Sequence, residues 1–591
     1  MIGFLRWLRH VALGTLNGIA MLAFLVVLVV IALFVAGLIE GDGLPSKMVL
    51  SLDLRNSPPD SSHTPDFFFA RRTPTVMDTV LALDRAGRDS RVKGVFLQLG
   101  GGLSVAQAEE IGAALIRFRA TGRFVVAYAQ GFLDSGLGDY LTAASADQIW
   151  MEPRSPFSAS GTGAGAIFLR GLFDKIQAVP QIVKRSDYKS AADMYMEKDY
   201  TEPDREQTTA FLQSWYNSAV RAIAAERKLN SKNVIAFLQA NPQFAEDAKR
   251  AHLIDALGYD DDARRAVRQR AGHAKLVAMG DYARATEDES TIGQGPHVAL
   301  IEAAGEIVDG TADHGTLGGN EVIASDDYAE AFRKARRDSS IKAILFRIDS
   351  PGGSVTASAQ ILEAVKEAQA AGKPVVVSMG PLAASGGYFV SCSANRIVAE
   401  PATLTGSIGV LTGKVSFGKS LALIGVGAGD IGVGNNALFD SAIEPFTPAQ
   451  LANLNSQADT IYLDFKQKVA QGRKLTLAQV ETIAKGRVWT GADARPRGLV
   501  DDLGTFWTAV GEVKTAIGVS PDVRLVFKLY PEKEGFLEAI TDLVSGSSAG
   551  MRAMEGLSTL MRSPGVSAVV NAIEGAPRNP VELRATNLPV R

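Results

Sequence analysis

The residues DSSIKAILFRIDSPGGSV (Asp338–Val355) and PVVVSMGPLAASGGYFV (Pro374–Val390) frame the reading of this chain. The apolar, β-branched run Ala343–Ile348 has strand composition and ends at the glycine pair of DSPGGS. A helical stretch follows, then a second apolar strand from Pro374 to Met379, then a turn that presents Ser385 at the head of AASGGY, Ala383–Tyr388. Strand, glycine-rich loop, helix, strand and an exposed serine before a helix is an order that can set backbone N–H groups opposite a nucleophile, as acyl transfer needs.

Working outward, the same order occurs twice. MVLSLDL at Met48 answers HVALIEAAG at His297, and DSRVKGVFLQLGGG at Asp89 answers DSSIKAILFRIDSPGG at Asp338. Downstream, YLTAASADQIWMEP (Tyr140–Pro153) answers YFVSCSANRIVAEP (Tyr388–Pro401), and GTGAG at Gly161 sits opposite GSIGV at Gly406. A period of about 250 residues is a duplicated domain, since solenoid units are roughly 20 to 50 residues long. Within each copy strands alternate with helices, as in Gly94–Leu99, Ala106–Arg119 and Phe124–Ala129, which predicts parallel βα units in an α/β fold. The expected organisation is a stub and anchor over 1–45, a first repeat over 46–290, a second over 291–528, and a helical tail over 529–591 that frays into disorder.

The ends and the composition set further bounds. Arg6 and Arg9 precede Ile19–Ile39, which holds no polar side chain and, at 1.5 Å per residue, covers roughly 30 Å, one hydrocarbon core. A cleavable signal peptide usually has a shorter apolar region, about 7 to 15 residues. We therefore expect a single-pass anchor, with the positive flank inside and the bulk of the chain across the membrane on the periplasmic side. A net charge of −3 with no block of basic residues argues against nucleic acid as a partner. Cys392 is the only cysteine, so neither an internal disulfide nor a multi-cysteine zinc site can form, and the reading calls for no metal and no cofactor.

The two copies differ where chemistry would occur. The second holds GPLAASGGY; the first holds GFLDSGLGDY, which loses the paired glycines and leaves Ser135 as a degenerate counterpart. A serine hydroxyl needs a base. None of the six histidines, His10, His63, His252, His273, His297 and His314, has a motif-like setting near either turn, although folding could bring one in. A lysine kept neutral by burial is the other solution. VKRSDYKSAADMY places Lys189 among small residues, and the matching stretch of the second copy, near Gly434–Leu438, has no lysine. On composition alone such a lysine is more often solvated than catalytic. GKVSFGKS (Gly413–Ser420) fits a phosphate-loop pattern, yet it lies inside a repeat whose first copy reads FLRGLFDK, which argues against nucleotide binding.

Together DSPGGSVTAS, VVVSMG, AASGGY and ATLTGSIGV resemble the long, two-repeat form of the bacterial signal peptide peptidase A family, serine proteases related to the ClpP and crotonase superfamily. The resemblance covers nearly all of the chain after the anchor. It implies a bacterial inner-membrane endopeptidase with a Ser/Lys dyad that degrades remnant signal peptides and other hydrophobic peptides. The fold it implies is two tandem ClpP/crotonase-like α/β domains behind a transmembrane helix, assembled as a homotetramer. Carried over motif by motif, it implies Ser385 as nucleophile, Lys189 as general base and Ser407 as the residue that orients the lysine. For the oxyanion we expect the backbone N–H groups of Gly353 and Gly386. Bland readings remain beside these: PGG as a simple turn, Thr405 and Ser407 as helix caps, Cys392 as a buried small residue. The rival functions are a catalytically silent membrane scaffold and a crotonase-like thioester enzyme, which would need the oxyanion loop but no serine.

Overall fold

A computed structural model describes residues 43–61, 74–132, 136–240, 243–286, 295–312, 321–434 and 436–531. The expected anchor, His10, His63, Ser135, His314 and the tail beyond Pro531 lie outside them. Among the described residues no helix is long and apolar enough to cross a membrane.

Two parallel sheets carry the two repeats. The first runs, in spatial order, Ala256–Leu257, Gln148–Met151, Phe124–Ala129, Val92–Leu99, Met48–Leu54 and Lys275–Ala278. In the second, Asp502–Leu503, Arg396–Ala399, Val375–Ala384, Ile341–Ser350, His297–Ala304 and Val526–Tyr530 stand in the same order, again all parallel. Helices such as Val105–Arg119 and Val355–Ala370 make the crossovers, each opened by a serine that accepts the N3 amide, Ser104 from Gln107 and Ser354 from Ala357. The strand expected over Pro374–Met379 is longer than anticipated. Val375–Ala384 runs straight into Ser385 because its far half finds a second partner, Leu404–Gly406, beyond the point where Arg396–Val398 leaves it. Leu404–Gly406 pairs antiparallel with Val488–Thr490; in the first repeat the corresponding pair, Pro156–Phe157 with Gln243–Phe244, stands as a separate two-stranded sheet and meets the end of the Phe124–Ala129 segment through a single Phe132–Phe157 bridge.

Side-chain alternation explains how the repeats join. Along Ile341–Ser350, Ile344, Phe346 and Ile348 enter a core shared with Phe332 and Ile361, while Ala343 and Leu345 enter the core that also holds Leu115, Tyr140 and Ile223 of the first repeat. In the neighbouring strand Val375 and Val377 face the former core and Val376 the latter. One face of the second sheet is thus covered jointly by its own helix Phe506–Ala516 and by the first repeat, and one hydrophobic core runs through both repeats. Trp215, on the helix Glu202–Arg227, donates its indole N–H to Ala402 O at 2.6 Å across this boundary.

A second join is a two-stranded antiparallel ribbon, Val179–Arg185 of the first repeat against Val410–Ser416 of the second, in register from Arg185↔Val410 to Val179↔Ser416. It accounts for most of the phosphate-loop pattern: Gly413 to Ser416 are paired strand, and Lys419 lies on the six-residue helix Gly418–Leu423.

Candidate active site

Ser385 sits at the corner between Val375–Ala384 and the helix Gly386–Ser391, with φ +54° and ψ −116°. Positive φ at a non-glycine residue is strained and persists where surrounding structure imposes it. Here the imposing contacts are the Ser385 N–H, which donates to Gly406 O at 2.9 Å, and the Ser385 carbonyl, which accepts from Phe389 at 2.9 Å. The result is a hydroxyl presented at a sharp strand-to-helix turn.

The ribbon supplies the second group. Lys189 follows the strand Val179–Arg185 by four residues and Ser407 precedes Val410–Ser416 by three, so strand pairing brings them together. Lys189 Nζ lies 2.9 Å from Ser385 Oγ, 2.9 Å from Ser407 Oγ and 3.1 Å from Ser407 O. The lysine is 7% exposed and has no carboxylate partner among the described residues. Burial alone, which penalises the ammonium, lowers its pKa to about 8. Two glycines make room for it. A Cβ on Gly486, whose φ is +74°, would fall 2.6 Å from Lys189 Cβ, and one on Gly409 would fall 3.2 Å from its Cδ.

Ser407 caps no helix: its φ is +49° and its N–H donates to Arg487 O at 2.8 Å. Thr405 lies within the strand Leu404–Gly406 and donates its hydroxyl to Ala383 O. The Arg487 guanidinium stacks on Tyr188, next to Lys189, at 4.8 Å and on Trp489 at 4.5 Å, and it bonds Glu206 at 2.7 Å. The loop that holds Ser407 is thereby tied to the residue beside the lysine.

DSPGGS forms the facing wall. Ile307 donates to Gly352 O and accepts from Ser354 N, both at 2.8 Å, which leaves the Gly353 N–H outside that bridge. Gly352 (φ +104°) touches the nucleophile turn: a Cβ there would lie 2.6 Å from Gly386 N and 2.9 Å from Ser385 Cβ. A Cβ on Gly386 would in turn lie 3.2 Å from Gly353 N. The N–H groups of Gly353 and Gly386 therefore sit beside each other next to Ser385, with no acceptor among the described residues. Such a pair can hold a developing oxyanion.

A cavity of about 420 Å³ opens beside this cluster, between the repeats, lined by Lys189, Ser407 and Ala384 and by apolar groups including Phe211, Trp215 and Leu404. No histidine lines it, and among the described residues no group of histidine, cysteine or acidic side chains could hold a metal ion. Cys392 is fully buried, away from the cavity. Sequence reasoning passed over Asp349, which also lines the cavity, and Arg487; the only signal for Asp349 was its place at the head of DSPGGS.

Comparison with known proteins follows the same outline. The chain matches peptidase family S49 over residues 117–274 and 367–520, one match in each repeat, and the Clp protease pattern over 326–403. It is 32% identical to Protease 4 of Salmonella typhi across 84% of this chain and 80% of that protein. Protease 4 of Haemophilus influenzae is 31% identical across 77% of this chain and 75% of its own length. The Arabidopsis thaliana protein named Serine protease SPPA, chloroplastic, is 30% identical across 83% of this chain and 73% of that one.

Proposed function

Because the chain belongs to peptidase family S49 and is a serine-type peptidase, we propose that it is an endopeptidase in which Ser385 is the nucleophile and Lys189 the general base. The observation that carries this is the 2.9 Å contact between a buried, carboxylate-free lysine and a serine hydroxyl contributed by the other repeat. Neutral Lys189 Nζ takes the Ser385 proton as Oγ bonds to a peptide carbonyl carbon, and the resulting oxyanion receives the N–H groups of Gly353 and Gly386. The lysine then returns the proton to the leaving amine, which departs as the C–N bond breaks. Water, deprotonated by the same lysine, cleaves the acyl ester and restores the serine. Ser407 holds Nζ through both its hydroxyl and its carbonyl, fixing the lone pair toward Ser385. A thioester enzyme using only the oxyanion loop would have no use for this serine and lysine.

The substrates in this reading are hydrophobic peptides, remnant signal peptides among them, which suits the apolar cavity and the apolar Ile19–Ile39 span read as a membrane anchor. Repeats over 46–290 and 291–528, each contributing part of the site, and a homotetrameric assembly complete it. The test is hydrolysis of a short hydrophobic peptide by the full chain and by the Ser385→Ala and Lys189→Ala variants. Both substitutions should abolish turnover, with losses of at least about 10³-fold, and wild-type turnover in either would overturn the proposal.

A further inference from the structure

The alternation that turns Ala343 and Leu345 toward the first repeat continues along the strand to Arg347 and Asp349. Arg347 is consumed: its guanidinium holds Asp60 at 2.6 and 2.9 Å and Glu110 at 2.9 Å. Asp349 lies at the irregularity where this strand and Val375–Ala384 lose register. One of its oxygens accepts the Leu382 N–H at 2.9 Å, and the other has no hydrogen-bond partner among the described residues. Asp349 is only partly covered, and it lines the cavity beside Ser385, so its remaining exposure is to that cavity.

The surroundings make this carboxyl a receptor for positive charge. Asp349 and Asp60 both lie against Gly380: a Cβ there would be 2.9 Å from Asp349 Cβ and 3.2 Å from the Asp60 carboxyl. Burial opposes its ionised form most, Asp60 and, more weakly, Glu321 repel it, and the Leu382 N–H and Arg347 favour it, so its pKa rises to about 7. The other acids on the cavity are engaged, Asp193 with Lys184 at 2.5 Å and Asp204 with the Gln207 amide at 3.1 Å, and Lys189, whose pKa burial lowers to about 8, is held by Ser385 and Ser407. A cation reaching Asp349 would give this carboxyl the ion pair it lacks, on a wall that also carries apolar groups such as Phe211, Trp215 and Leu382.

Taking Ser385 as the nucleophile, we propose that this cavity receives the substrate side chain on the acyl side of the scissile bond and that Asp349 selects a basic one, lysine or arginine, there. The aliphatic stem lies along the apolar wall and the charged end meets the carboxyl, so apolar residues remain substrates and basic ones gain a contact. Two peptides differing only in that residue, lysine against norleucine, test this with the full chain through the ratio of their kcat/KM values. Lysine stays charged from pH 6 to 8 and Lys189 acts on both peptides alike, so the ratio reports on the cavity. In the wild type it should rise across this interval as Asp349 ionises. In Asp349→Asn, which keeps an acceptor for Leu382, it should fall about tenfold and lose its pH dependence. A pH-independent wild-type ratio, or equal ratios in the two proteins, would overturn the proposal, and the first needs no variant. Hydrolysis of neither peptide, or hydrolysis that survives Ser385→Ala, would instead overturn the dyad and this selectivity with it.

Discussion

At the scale of single residues, the site depends on one lysine being neutral. Its three hydrogen-bond neighbours, two serine hydroxyls and a carbonyl, supply no negative charge, and burial is the cause of its lowered pKa. The sign follows directly: below about pH 8 Nζ carries a proton and cannot accept another, so kcat/KM for an uncharged peptide should rise with pH and level off above about 8. Lys189→Arg should be inactive at every pH up to 10, because a guanidinium keeps its proton. A rate profile that is flat from pH 6 to 9 would remove Lys189 from the role of base.

At the scale of elements, the ribbon Val179–Arg185 with Val410–Ser416 matters most, because it sets the distance between lysine and serine. Its weak point is Gly413, at φ +151°, where a Cβ would lie 2.3 Å from Gln181 O and 2.6 Å from Ile182 Cα. Gly413→Val should push the strands apart and displace Lys189 or Ser407 without touching either sheet. We expect kcat to fall by about 10²-fold, as roughly 1 Å misplacements can produce, while circular dichroism and the unfolding transition stay close to wild type. Unchanged kcat would mean that the ribbon does not position the dyad.

At the scale of the whole molecule, the two repeats share a core and a buried charge cluster. Arg347, 1% exposed, holds Asp60 and Glu110 of the first repeat from within the second sheet. Glu110 also accepts the Phe506 N–H, and burial together with the Glu110 and Glu109 carboxylates pushes the Glu400 pKa well above the usual carboxylate range. Removing Arg347 from such a group leaves uncompensated buried charge. Arg347→Met should therefore cost about 3–5 kcal/mol of unfolding free energy, measured by denaturant titration, and adding Asp60→Asn should recover part of it. A cost below about 1 kcal/mol would show that the cluster is not what holds the repeats together.

Much of this was legible in the sequence. Phe124–Ala129 is a strand with the limits its composition indicated, the duplication reappears as one strand order in two sheets, and Ser385 stands before a helix as AASGGY suggested. These features are encoded locally, in side-chain period and turn chemistry, and a linear reading recovers them. Lys189 could be singled out by comparing repeats and by resemblance, but nothing local separated it from a solvated lysine. Its neutrality comes from burial, and burial comes from strands 225 residues apart, Arg185 beside Val410, pairing in one register. The strained φ of Ser407, the adjacent N–H groups of Gly353 and Gly386, and the open oxygen of Asp349 are likewise products of that closure. Sequence determined which turns, strands and helices this chain forms. Only the packing of one repeat on the other decided which of its many serines, lysines and acids share a solvent-poor space, because the energy of a buried polar group is set by its neighbours in space, not along the chain.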